Sequence, residues 1–154
     1  PGGHVLKIEE GEDQRTFQTG WHFVNRSYNF DSAAGLVYTV DVTKPYGERV
    51  KIASLAGGDQ FCADSTYNVS MTSYRAAGGG NLLSKGAGID TGNMDDRIVA
   101  RLDDIRNVLY DYVQHVGTIK VSELSNPAIL GDWGFIPSQA IPALRADMKL
   151  LFGK

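Results

Sequence analysis

The stretch from Tyr67 to Asn81 constrains this chain most. It reads Tyr-Asn-Val-Ser-Met-Thr-Ser-Tyr-Arg-Ala-Ala-Gly-Gly-Gly-Asn. Tyr67, Val69 and Met71 alternate with Asn68, Ser70 and Thr72, and that period of two predicts a half-buried strand. Tyr74 and Arg75 then stand just ahead of Gly78, Gly79, Gly80 and Asn81. Glycine has no Cβ, so the backbone here can approach a ligand closely and can take positive φ. A large π-face beside such a loop can hold a flat ring such as a nucleobase. The same residues suit a plain turn with a surface tyrosine, because glycine runs are common punctuation. The local pattern leaves both readings open.

The flanking segments supply further elements. In Gly35–Val42, Leu36, Tyr38 and Val40 share one face, which predicts a strand. Lys44-Pro45-Tyr46-Gly47 gives turn chemistry, and Arg49–Leu55 predicts a second strand. With the Tyr67 strand these make three near neighbours, for which antiparallel pairing is the economical arrangement. His4–Ile8 is expected as a short edge strand. The acidic run Glu9-Glu10-Gly11-Glu12-Asp13 is expected as a solvated loop. Trp21, Phe23 and Tyr28 are expected to cap the core.

From Met94 to Val116, Ile98, Leu102, Ile105, Val108, Leu109, Tyr112, Val113 and Val116 recur at three and four. That spacing predicts an amphipathic helix, either continuous or broken near Leu102, with Tyr110 and Tyr112 buried against the core. Gly117 suits its C-terminal cap. Thr118–Val121 is expected as a short strand and Ala143–Phe152 as a last helix. The fold class is therefore α+β: a small, mostly antiparallel or mixed sheet packed against one long helix. No repeat or linker divides residues 1–154, which are expected to form a single domain.

Charge and motif content narrow the function. The net charge of -3 argues against a nucleic-acid polymer as partner, though not against a single nucleotide in a local site. No apolar run approaches the roughly 20 residues of a membrane span. Cys62 has no partner for an internal disulfide and is expected to pack inside. His4, His22 and His115 are far apart and lack acidic partners at ligand spacing, so a two-metal phosphoesterase cluster is unsupported. No Gly-x-Ser-x-Gly elbow occurs, and no Gly-Lys-Ser/Thr follows the glycine loop, so neither a serine hydrolase nor a P-loop is indicated. Lys85 is expected as a solvated loop lysine. The chain alone is expected to be catalytically inactive.

The order of segments carries a resemblance. Phe30-Asp31-Ser32-Ala33-Ala34-Gly35-Leu36-Val37-Tyr38-Thr39-Val40-Asp41 precedes Lys44-Pro45-Tyr46-Gly47-Glu48-Arg49-Val50. The Tyr-Arg-x-x-Gly-Gly-Gly loop follows, then Leu83-Ser84-Lys85-Gly86-Ala87-Gly88-Ile89, and later Trp133-Gly134-Phe135-Ile136-Pro137. This series resembles the C-terminal domain of the 5′-nucleotidase and 2′,3′-cyclic-nucleotide phosphodiesterase family, in its Bacteroides-type form. The resemblance runs from Phe30 to the end, with residues 1–29 poorly matched.

The resemblance implies a domain that binds the nucleoside part of a nucleotide between two aromatic rings. It implies a parent hydrolase whose two divalent metal ions sit in a separate N-terminal metallophosphatase domain, and a periplasmic, secreted or cell-surface location. Tyr74 falls where the family places one ring. Arg75, Gly78, Gly79, Gly80 and Asn81 complete the implied substrate-binding set. The second ring and the substrate-binding arginines belong to a front part of the domain that is expected to be missing here. Some members carry Gly-Gly-Asp in the loop, an acid that meets ribose hydroxyls; this chain has Gly80 and then Asn81, whose amide both donates and accepts. Loss of the front part would leave apolar surface and a strand edge open. Self-association, or association with a retained missing segment, is therefore expected.

Overall fold

The computed structural model describes residues 3–153. In chain order the elements are β1 (Ile8–Asp13), β2 (Gln18–Phe23), β3 (Leu36–Asp41), β4 (Val50–Leu55), α1 (Ser73–Ala76), α2 (Ile105–Val116), α3 (Val121–Leu124), α4 (Pro127–Leu130), β5 (Gly131–Ile136) and α5 (Ala140–Phe152). This is the expected α+β content, with small antiparallel and mixed sheets. The contacts group into two units. One comprises the chain up to Phe61 together with the part from Pro127 onward, and the other is Cys62–Asn126.

In the first unit β1 and β2 form an antiparallel hairpin, with Ile8 opposite Phe23 and Asp13 opposite Gln18. The acidic run is thus a strand, not a loop. Its carboxylates at Glu9, Glu10 and Glu12 are exposed, while Ile8 and Asp13 at its two ends are buried. Charge on the outer side of a strand costs little and protects an open edge from pairing with another chain. The edge strand expected at His4–Ile8 therefore begins only at Ile8. Trp21 and Phe23 are part-buried in β2 as expected, whereas Tyr28 is exposed.

The second sheet has the order β4-β3-β5. β3 pairs antiparallel with β4, as the sequence predicts. Its other neighbour is β5, in parallel, with Leu36 opposite Gly131 and Tyr38 opposite Trp133. The Tyr67 segment does not occupy that place. Residues 66–72 make no strand, and Val69 is 71% exposed. Its alternation of apolar and polar residues satisfied the local pattern, but a strand also needs a hydrogen-bonding neighbour, and neither sheet includes this segment.

The sheet's aromatic cluster explains why β5 takes that place. The rings of Tyr38 and Trp133 stack at 5.7 Å with planes 6° apart, and Phe135 meets Trp133 edge-on at 5.4 Å. Such pairs add about 0.5–1.5 kcal/mol each beyond the area they bury. Tyr38 is buried, and its hydroxyl accepts from the Ala33 N–H.

α5 begins earlier than expected, at Ala140, with Pro142 in its first turn, where a missing N–H leaves no helical bond unmade. Within the first unit, α5 packs against β2 and β5. Asp147 on α5 is 3% exposed and accepts from His4 Nδ1 at 2.5 Å, from the Val5 N–H at 2.7 Å and from the Leu6 N–H at 2.9 Å. A buried carboxylate is tolerable because all three donors face it.

In the second unit the helix after Met94 is broken. A single 3-10 turn covers Asp95–Arg97, residues 98–104 are irregular, and α2 starts at Ile105 with Asp104 as its N-cap. The Asp104 carboxylate accepts from the Arg106 N–H at 2.8 Å. Gly117 caps the other end with φ 69°, and its N–H donates to the Val113 carbonyl. Tyr110 and Tyr112 are exposed, contrary to the expected burial. The periodicity specified an amphipathic helix without specifying what covers its apolar face. Residues 118–120 form no strand, and Val121 opens α3 instead. Cys62 is exposed, not packed, and a hydrogen bond with Ser65 holds its thiol below the usual range.

Candidate functional site

α1 is one turn long. Thr72 caps it, its hydroxyl accepting from the Arg75 N–H at 3.4 Å. The turn sets two consecutive side chains in different environments: Tyr74 is 57% exposed and Arg75 only 9%. The Arg75 guanidinium lies over the Tyr74 ring, 5.4 Å from its centroid. Arg75 Nη1 also donates to the Gly79 carbonyl at 3.1 Å.

The glycine loop needs its glycines. Gly78 and Gly80 have φ of 92° and 74°, and Asn81 sits in the left-handed region at φ 59°. Asparagine is among the few other residues that occupy that region readily. Gly79 is required for a different reason. A Cβ there would stand 2.5 Å from Tyr74 Cε1 and Cζ, and equally close to the Tyr74 carbonyl oxygen. The Tyr74 ring therefore lies directly on the backbone of Gly79. A 3-10 turn over Gly79–Asn81 leads into a π-turn, Leu82–Gly86, in which Leu83 is buried.

The six residues singled out by sequence are thus one local cluster. Tyr74 presents an exposed ring beside the loop backbone. Gly78, Gly79 and Gly80 are half-buried, and Asn81 is exposed at the rim. Arg75 is buried in the cluster, with its guanidinium over the ring and bonded to a carbonyl. Lys85 is exposed, as expected of a solvated loop lysine. Sequence reading did not find the Asp147–His4 cluster in the other unit. Its partners lie 143 positions apart, and no spacing rule connects them.

Among the described residues, no three of His, Cys, Asp or Glu are grouped where they could hold a metal ion. Among these residues the donors do not fit a two-metal centre. Among the described residues, no helix is long and apolar enough to cross a membrane.

Comparison with known proteins bears on the whole cluster. The family model described as "5'-nucleotidase, C-terminal domain" matches residues 5–85, which include β1 to β4 and all six loop residues. The trifunctional nucleotide phosphoesterase protein YfkN of Bacillus subtilis (strain 168) is 30% identical over 123 residues, covering 73% of this chain. The chain spans 8% of that relative's length. No solved structure matches.

Proposed function

Because this chain belongs to the 5′-nucleotidase C-terminal domain family, we propose that it supplies the nucleoside-binding part of a nucleotide phosphoesterase. The observation that carries this reading is the Tyr74 ring, 57% exposed and seated on the backbone of Gly79. A base stacked on that ring would lie beside a loop with no side chains to exclude it. Asn81 at the rim offers an amide to ribose hydroxyls in place of the acid found in other members.

The hydrolytic step belongs, in this proposal, to a metallophosphatase domain elsewhere in the parent polypeptide. Two divalent metal ions there would activate water and hold the phosphate. The name of the Bacillus relative, a nucleotide phosphoesterase, fits that assignment. The same reading takes a nucleotide or nucleoside as ligand and places the parent protein in the periplasm or outside the cell. It also supplies a partner for the apolar side chains left open on α2, among them Ile105, Leu109 and Tyr110. The rest of the parent polypeptide, or a second copy of this chain, would cover them.

The test is a titration of the full-length protein with AMP. Tyr74→Ala weakens binding by about 1–3 kcal/mol, the range for one base–aromatic stack. The isolated chain binds adenosine weakly and releases no phosphate from AMP or 2′,3′-cyclic AMP. If Tyr74→Ala leaves AMP affinity unchanged, the domain instead retains the fold as a non-catalytic interaction module without nucleotide recognition.

A further inference from the structure

Tyr74, Arg75 and Gly79 contact one another pairwise. The ring lies on the Gly79 backbone, the guanidinium lies over the ring, and the guanidinium donates to the Gly79 carbonyl. Closed triangles of this kind fix each member through the other two. Without Arg75, the ring would lose the guanidinium that lies over it, and a part-buried carbonyl would lose a charged donor. With it, the ring is held in one orientation, and its exposed side is set before any ligand arrives.

We propose that Arg75 is a positioning residue: it holds the Tyr74 ring and the glycine loop in a binding-ready arrangement and does not itself contact the ligand. This rests on the nucleoside-binding reading for its functional consequence, but its structural part stands alone. The residue is 9% exposed, which leaves little of it for a ligand to reach. Arginine suits the role because a planar guanidinium can lie flat on a ring while one of its N–H groups points along the plane at a carbonyl. A lysine ammonium is a compact point charge and cannot lie along both groups in the same way. A pre-set ring loses less freedom on binding, so the benefit is in affinity.

Two measurements test this with distinguishable failures. The first is the NMR spectrum of the Tyr74 ring in the ligand-free chain. Arg75→Lys is expected to shift the ring signals and average them over several orientations, while the far-UV circular dichroism stays unchanged. Ring signals that do not move would overturn the proposal. If the variant does not fold, the Tyr74 ring and Arg75 guanidinium signals of the unaltered chain decide instead: a nuclear Overhauser contact between them together with slowed guanidinium exchange supports the proposal, and exchange as fast as free arginine overturns it. The second measurement is a double-mutant cycle on AMP affinity in the full-length protein. Arg75→Lys is expected to weaken AMP about tenfold when Tyr74 is present and to have no effect in the Tyr74→Ala background. An equal loss in both backgrounds would mean that Arg75 contacts the ligand directly, and the positioning role would be wrong. No effect of Tyr74→Ala on its own would remove the nucleoside reading, leaving the ring signals to decide the structural role of Arg75.

Discussion

Asp147 and Arg75 are both buried charges, and they hold together very different stretches of chain. Asp147 joins α5 to His4, Val5 and Leu6, 141 to 143 positions away. Arg75 closes on Gly79, four positions away. The contrast extends to the units around them. The first is built from distant pairings, with β3 against β5 and the rings of Phe23 and Phe152 at 6.3 Å. The second contains near-neighbour bonds such as Asn107 to Asp103 and Arg101 to Asp95. Long-range pairings must recover the entropy of closing long loops, so they need a packed aromatic cluster or a buried ion pair behind them. A one-turn loop needs only local backbone geometry, and so can sit where little else is buried.

The sharpest way to break that contrast is at Gly131. Its φ is 77°, and a Cβ there would overlap the Leu36 backbone on the paired strand. Gly131→Ala is expected to lower stability by about 3–5 kcal/mol, through strain and loss of the β3–β5 pairing. Urea unfolding followed by tryptophan fluorescence measures it. A loss below about 1 kcal/mol would show that the parallel pairing does not hold the first unit together.

Next in size is the buried carboxylate. Asp147→Ala leaves two N–H groups and His4 without their acceptor, and is expected to cost about 2–3 kcal/mol. The pH dependence provides an independent readout. Burial alone would raise the Asp147 pKa, but bonds from Leu6, His4 and Val5 outweigh it, and the net shift is downward. Asp13 in the β1–β2 hairpin is lowered from 3.8 to about 2, chiefly by its hydrogen bonds with Arg15. Both carboxylates thus bind protons less readily in the folded chain than in the unfolded one. Their contribution is complete above the ordinary carboxylate pKa and is lost as pH falls through the folded values, for Asp13 between 3.8 and about 2. Acid titration of the unfolding midpoint should show this slope, and Asp147→Asn should flatten part of it.

In the second unit the expected effects are smaller in stability and larger in binding. Gly79→Ala should cost about 1–2 kcal/mol, because the Tyr74 ring can swing away while its carbonyl cannot. The same change should move the Tyr74 ring signals and reduce AMP affinity in the full-length protein. Unmoved ring signals would mean that Gly79 does not seat the ring. The smallest effect is at the α2 cap: Asp104→Ala should cost about 1 kcal/mol and fray the first turn, visible as faster amide exchange at Arg106 and Asn107. A loss of several kcal/mol there would show that α2 is part of a larger cooperative structure than its own turn-by-turn bonds.

Local rules account for what could be read directly. β3 and β4 followed from alternation and an intervening turn, α2 followed from apolar periodicity, and its C-terminal cap followed from Gly117. The glycine loop was legible because it is a local device: an aromatic, a cation and three glycines within seven residues, Tyr74 to Gly80. The same rules failed where the outcome depended on a partner. Tyr67–Thr72 alternates correctly and still forms no strand, because neither sheet takes it in as a neighbour. The acidic run looked like a loop until β2 gave it a neighbour.

Sequence by itself determined the family, the α+β class and the loop at Tyr74, each encoded in short patterns whose physics is complete within a few residues. Only the tertiary structure decided which strands pair, which helix covers them and where Arg75 and Asp147 direct their charges. Those outcomes depend on competition among segments far apart in the chain, and the winner is set by packing and hydrogen-bond satisfaction, which no local pattern contains.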